Sequence, residues 1–242
     1  MGSALQRWPS ASVAIGIFGW SMCSCAEVAR SRENRWMTSS PSSPPHPITP
    51  PLILGSTSRY RRELLQRLHW PFEVVSPEVD ETPLPGEAPA ALAVRLALAK
   101  AQAIARQRPD AVVIGSDQVA DLNGEPIGKP GNHERATAQL RSLSGQCAVF
   151  QTAVSVVHAA AGFAQTLLAP VKVQFRVLSD AEIENYLRLE QPYDCAGSAK
   201  CETLGIALLA SIDSDDPTAL IGLPLIRTCD LLRAAGINPL LP

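Results

Sequence analysis

The sequence predicts an α/β domain: a mixed, twisted sheet with flanking helices, arranged as two lobes around a cleft. Three observations carry this. Short apolar runs at 52–55, 72–76 and 111–115 alternate with helical stretches, which is the grammar of parallel strands joined by crossover helices. Two long β-rich runs, 148–158 and 163–177, follow with only small residues between them. Helical segments then close the chain after each remaining β-run.

In order, "LILG" (52–55) is a buried strand, and "GSTSRYRRELLQRL" (55–68) starts a helix near Arg59 with Ser58 as its N-cap and Leu64, Leu65 and Leu68 as its apolar stripe. "FEVVS" (72–76) is a second strand, and 89–107 is a helix. "AVVIG" (111–115) is a third strand, and "VADLNGEPI" signals a hairpin turning at Asn123 and Gly124. Asn132 caps a helix to Leu143 that Gly145 closes. After the two β-rich runs, Ser179 and Glu182 form a capping box for a helix to about Glu190. "LGIALLASI" (204–212) reads as a last strand and Pro224–Ala235 as a last helix.

Residues 1–51 differ from this pattern. "TSSPSSPPHPITPP" (38–51) holds six prolines, which exclude regular helix and sheet. "ASVAIGIFGW" is shorter than the roughly 20 apolar residues a spanning helix needs, and as a signal peptide it has only the thin basic flank of Arg7 and no clean cleavage site. Residues 1–51 are expected to be a disordered or non-native extension, either because Met37 is the true start or because the extension is an untemplated tail, and 52–242 the folded domain. A natural chain beginning near Ala26 would instead indicate export.

The 242 residues carry a formal charge of −2. Residues 1–51 contain four Arg and two Glu, leaving 17 basic against 21 acidic residues in the domain. A stable nucleic-acid partner needs a basic stripe, so none is expected, and any anion site must be local. Six cysteines without a C-x-x-C pair read as reduced thiols of a cytoplasmic protein, and four scattered histidines lack zinc-ligand spacing. No membrane association is expected.

Against this acidic background several charges stand out. Arg59, Arg61 and Arg62 crowd the positive end of the first helix, where each costs about 0.3–1 kcal/mol, and an anion seated on the free N–H groups there would offset them. Lys100 falls in the apolar row Leu92, Leu96, Lys100, Ile104; it either snorkels to the edge or enters a polar cavity. Asp117 follows the strand 111–114 by a Gly-Ser step, where a carboxylate either serves a ligand or ends the strand as an Asx turn. Lys129, between Gly128 and Pro130, and Glu81, in a proline-flanked loop, are by themselves surface charges.

Together, "LILGSTSRYRRELL", "PEVDET", "RLALAKAQAIA", "VIGSDQV", "GKPG", "YDCAGSAKCETLGIAL" and "LIGLPL" resemble the Maf-like family of nucleoside triphosphate pyrophosphatases over residues 52–241. The resemblance implies a Maf/ITPase-like fold with a nucleotide cleft. It implies cleavage of a nucleoside triphosphate into monophosphate and pyrophosphate, a divalent cation (Mg or Mn), and a homodimer. It places the catalytic aspartate on Asp117, phosphate-binding groups on Ser56, Arg61, Arg62, Lys100 and Lys129, and a metal-associated acid on Glu81, with Asp117 itself a metal ligand or a base. Three positions that separate the subfamilies are here Tyr60, Gln118 and Glu202, resembling the 7-methyl-GTP branch rather than the dTTP/UTP branch with Arg, Thr and Gln. Methylation at N7 makes guanine cationic, which suits an aromatic face at Tyr60 and an acceptor at Glu202. The sequence departs from the family at Arg59, usually Pro, and in carrying Tyr60 where this branch has Trp.

The rival expectations are a pyrophosphatase of the dTTP/UTP type and a nucleotide-binding regulator of cell division without turnover. A P-loop kinase is a weaker rival, because no G-x-x-x-x-G-K-[ST] string occurs.

Overall fold

The computed structural model describes residues 49–241, so the expectations for the N-terminal extension upstream of Thr49 lie outside the described residues. The elements are β1 (Leu52–Gly55), α1 (Arg59–Gln66), β2 (Glu73–Val75), α2 (Pro89–Ala105), β3 (Val112–Leu122), β4 (Glu125–Ile127), α3 (His133–Leu143), β5 (Cys147–His158), β6 (Phe163–Phe175), α4 (Asp180–Glu190), β7 (Leu209–Asp213) and α5 (Leu225–Ala234). The strands form one seven-stranded sheet among the described residues, ordered β2-β1-β3-β5-β6-β7 with β4 also on β3. β1 is parallel to β2 and to β3, and the remaining pairs are antiparallel.

Continuous apolar runs make the parallel strands because both their faces are buried. Leu52, Leu54, Val112 and Ile114 pack with Leu64 and Leu65 of α1 and Leu231 and Leu232 of α5. Ile53 and Val113 turn the other way, against Ala101 and Ile104 of α2. At the far end of the long strands a second core gathers Leu140 and Leu143 of α3, Ile183 and Leu187 of α4, and Phe150, Val171 and Phe175 of the sheet.

The edge of β3 opens between β1 and β4. β1 pairs with Val112–Gly115 and β4 with Ala120–Leu122 on that edge, so Ser116, Asp117, Gln118 and Val119 have no strand beside them there. On the opposite edge β5 pairs with β3 without interruption from Val112 to Asp121. This corrects the expected end of the strand: Asp117 lies in the middle of β3, not beyond it. Only the parallel pairing stops at Gly115, while the antiparallel ladder carries the strand through.

The second correction concerns 204–212. Residues Leu204–Leu208 form a 3-10 turn and only Leu209–Asp213 is strand. Gly205 packs on the Lys200 backbone so closely that a Cβ would stand 2.3 Å from the Lys200 carbonyl oxygen, and the chain must coil there before joining the sheet. The hairpin follows its sequence signal, with left-handed φ of 58° at Asn123 and 89° at Gly124. No helix among the described residues is long and apolar enough to cross a membrane.

Candidate active site

Ser58 caps α1 as its sequence predicts, accepting from the Arg61 N–H. Upstream, the buried Ser56 Oγ accepts from the Ser58 N–H at 3.2 Å and from an Arg61 terminal nitrogen at 3.4 Å. Arg61 Nε donates to the Gly222 carbonyl at 2.8 Å, which fixes the guanidinium over the start of its own helix. Burial pushes the Arg61 pKa down, opposed by the charges of Asp117 and Glu81; a guanidinium stays protonated regardless.

Gly222 is positioned by a turn that the half-buried Gln118 and the buried Asp216 hold. Gln118 Nε2 reaches Thr152 Oγ1, the Ala219 carbonyl and the Leu220 carbonyl within 2.9–3.0 Å. Asp216, fully buried, accepts from the Ile226 and Arg227 N–H groups and from Thr218, capping α5 from a distance because Pro224 supplies no side-chain cap. Ser116 Oγ lies 2.8 Å from the Ala153 carbonyl and 2.9 Å from that of Gly222.

α2 delivers Lys100 from the other face. Leu92, Leu96, Lys100 and Ile104 are all buried, so the row seen in the sequence is real, and the ammonium enters a polar cavity. Nζ donates to Asp117 Oδ1 at 2.6 Å and to Glu81 Oε1 at 2.7 Å. Glu81 reaches this point because Arg95, further up α2, ties down its loop. Arg95 pairs with both oxygens of Glu87 at 2.6 and 2.7 Å and donates to the Thr82 carbonyl at 3.1 Å. Burial pushes the Glu81 carboxyl up, but the hydrogen bond and charge of Lys100, with the charges of Lys129 and Arg61, outweigh it and hold the carboxyl below its ordinary range.

The Arg95 hydrogen bonds, helped by the Leu84 N–H, hold the Glu87 carboxyl down at about 2. A carboxyl depressed in the fold stabilises it above the ordinary value near 4, and that contribution fades as pH falls through about 2. Glu87→Gln is therefore expected to flatten the fall of the urea midpoint between about pH 4 and about pH 2. A decline as steep as that of the unaltered protein would show that the Arg95 pair adds nothing to the loop.

A cavity of about 470 Å³ brings most of the expected residues together. Ser56, Arg61, Glu81, Lys100 and Lys129 line it together with Tyr60, Gln118 and Glu202. Asp117 lies beneath Lys100, 7% exposed, joined to the cavity through the ammonium. Arg62 does not join them: it is exposed and is not among the lining residues, because it sits one helical step beyond Arg61 and turns away. Gln118 meets the cavity while its amide nitrogen serves the Ala219–Gly222 turn.

Burial pushes the Tyr60 hydroxyl up to about 12, with Arg59 opposing, and burial next to Glu202 pushes the Cys201 thiol up to about 12. Gly222, Ser116, Asp194 and Asp216 were not singled out by the sequence. Asp216 is one of three aspartates within "DSDD", and nothing local distinguishes the one that folds back onto α5.

Chemically, the arrangement gathers four cations, Arg59, Arg61, Lys100 and Lys129, around a polar hollow and sets two carboxylates against Lys100, as a polyanion with a reacting centre requires. Comparison with known proteins agrees in kind. The family model "Maf-like protein" matches residues 51–235. A Polaromonas protein named 7-methyl-GTP pyrophosphatase is 73% identical over 79% of this chain and 87% of its own length. An Albidiferax ferrireducens protein of the same name is 66% identical over 80% of this chain and 98% of its own. A HAM1 protein from Coxiella burnetii superposes with a TM-score of 0.38 at 15% identity over 52% of this chain and 73% of that one, a likeness too slight to bear on function. On the extent of the family match and the identity to these relatives, the chain belongs to the Maf family.

Proposed function

We propose that this chain is a nucleoside triphosphate pyrophosphatase that hydrolyses 7-methyl-GTP to 7-methyl-GMP and pyrophosphate, removing a modified nucleotide from the pool. The observation that carries the reading is the convergence of Glu81 and Asp117 on Lys100 inside a cavity also lined by Arg61 and Lys129. The names of the similar relatives support the substrate.

In this reading the triphosphate lies across Arg61, Lys100 and Lys129. Lys100 has three N–H donors and spends two on the carboxylates, leaving one for a phosphate oxygen. Arg61 has five and spends two, on Gly222 and Ser56, leaving three. Asp117 orients a water for in-line attack on the α-phosphorus and accepts its proton. The new P–O bond forms as the bond to the α–β bridging oxygen breaks, and pyrophosphate leaves with its charge held by the cations. Positioning and fixed electrostatics supply most of the acceleration.

The two carboxylates, both within reach of the Lys100 ammonium, are hard oxygen donors of the kind Mg²⁺ or Mn²⁺ would take. Among the described residues no group of three or more His, Cys, Asp or Glu could hold a metal unaided. Glu81 and Asp117 would hold the ion, which when bound neutralises phosphate charge. The resemblance to the family supports a cytoplasmic homodimer as the working form.

The test is pyrophosphate release from a panel of 7-methyl-GTP, GTP, dTTP, UTP and CTP. The expected outcome is the highest kcat/KM on 7-methyl-GTP. Equal rates on UTP and 7-methyl-GTP would reject the substrate assignment, and no release from any of them would reject the reaction.

A further inference from the structure

Arg59 is the first residue of α1, and its guanidinium does not simply extend into water. Its Cζ stands 4.7 Å from the centroid of the Tyr60 ring, and a terminal nitrogen donates to the Tyr60 hydroxyl at 2.9 Å. Adjacent side chains on a helix do not face one another, so this contact is not a by-product of helix geometry; the arginine folds back to make it. A cation at the first position of a helix also opposes the macrodipole, which makes the conformation one that needs a compensating partner. The ring and the nearby carboxylate of Asp194 supply it: Arg59, Tyr60 and Asp194 all line the cavity, and the charge of Asp194 acts on both of the other two.

The protein thus places a cation of its own on the face of Tyr60, the aromatic residue that the family resemblance associates with the base, and beside an acid. An N7-methylated purine is a planar cation seeking the same partners, whereas an unmodified purine is neutral and gains less from them. We propose that Arg59 is a specificity-determining residue: its guanidinium occupies the Tyr60 face in the free protein and must leave before a cationic base can stack there, so it limits the discrimination between cationic and neutral purines. The inference rests on the proposed substrate class and adds to it a residue that tunes the choice.

The test compares Arg59→Met, which keeps an apolar stem and removes the charge, with Arg59→Lys, which keeps the charge. The readout is the ratio of kcat/KM for 7-methyl-GTP to that for GTP, with the affinities of 7-methyl-GMP and GMP measured by calorimetry as a readout independent of turnover. Arg59→Met is expected to raise the ratio about threefold, chiefly through KM, with the matching change in monophosphate affinities. Arg59→Lys should stay near the unaltered protein. A ratio that is unchanged or lower in Arg59→Met, or that moves equally in both variants, overturns the inference. The preference of the unaltered protein decides the proposed substrate separately, because the shift on substitution is read whether or not that preference exists.

Discussion

Asp117→Asn is expected to lower pyrophosphate release by about 10²- to 10⁴-fold, the range a positioned general base contributes, while the protein remains folded. The amide is nearly isosteric and its carbonyl oxygen still offers Lys100 an acceptor, so the ammonium, 7% exposed, keeps that partner as well as Glu81. The backbone is fixed independently, because Asp117 lies within the uninterrupted β3–β5 ladder opposite Ala153. A melting temperature close to that of the unaltered protein would show that the loss is chemical. Undiminished turnover in a folded variant would remove Asp117 from the mechanism. Titration with Mg²⁺ or Mn²⁺ separates the duties of ligand and base: a weakened metal ligand is restored at high cation concentration, whereas a missing base is not. Lys100→Met is the harsher change, since it leaves two carboxylates facing each other without the ammonium, one of them buried, and it should cost stability as well as rate.

Much of this site was legible because each residue broke a local rule. Lys100 violates the apolar row of α2, and such a violation has few structural outcomes: escape to the edge or a partner in the interior. The partner is found on β3, on the face against which α2 packs. The arginines at the start of α1 violate the dipole, and two of the three proved to be engaged, Arg61 with Gly222 and Ser56, Arg59 with Tyr60. Arg62 breaks the same rule and is simply exposed, because sequence spacing fixes the angle around the helix and not the direction of the cleft. What could not be read was set by tertiary contacts. The extent of β3 past Gly115 depends on β5, a strand that arrives only after β4 and α3, and the polar run "GSDQ" carries none of the alternation that would announce it. The remote cap of α5 by Asp216 and the coiling of Leu204–Leu208 around Lys200 are likewise agreements between distant segments.

Gly115→Ala is expected to have the largest effect on the fold, destabilising it by about 3 kcal/mol or more, the upper end of what overpacking costs. A Cβ at this position would stand 2.3 Å from the Ala97 carbonyl oxygen and 2.6 Å from the Ala101 backbone nitrogen. Both are backbone atoms within α2, so no rotamer change relieves the clash, and either the helix lifts from the sheet or β3 bends. Against a usual total of about 5–15 kcal/mol this is a large fraction. Gly55 provides the internal comparison: its added Cβ would meet the Ile104 Cδ1 at 2.8 Å and the Ile114 carbonyl oxygen at 3.2 Å, so the worst contact is a methyl that can turn aside. Gly55→Ala should therefore cost less, as measured by urea denaturation of both variants. The consequence for the site is specific, because Lys100 lies between Ala97 and Ala101 on the stretch of helix that would be displaced. The ammonium sits 2.6 Å from Asp117 only because a glycine lets helix and strand backbones touch, and a displacement near ~1 Å is enough to cost about 10²-fold in rate. Whatever fraction of Gly115→Ala remains folded should thus turn over slowly even at saturating substrate. A variant with unaltered stability and rate would show that the close approach of α2 to β3 is not what holds Lys100 in place.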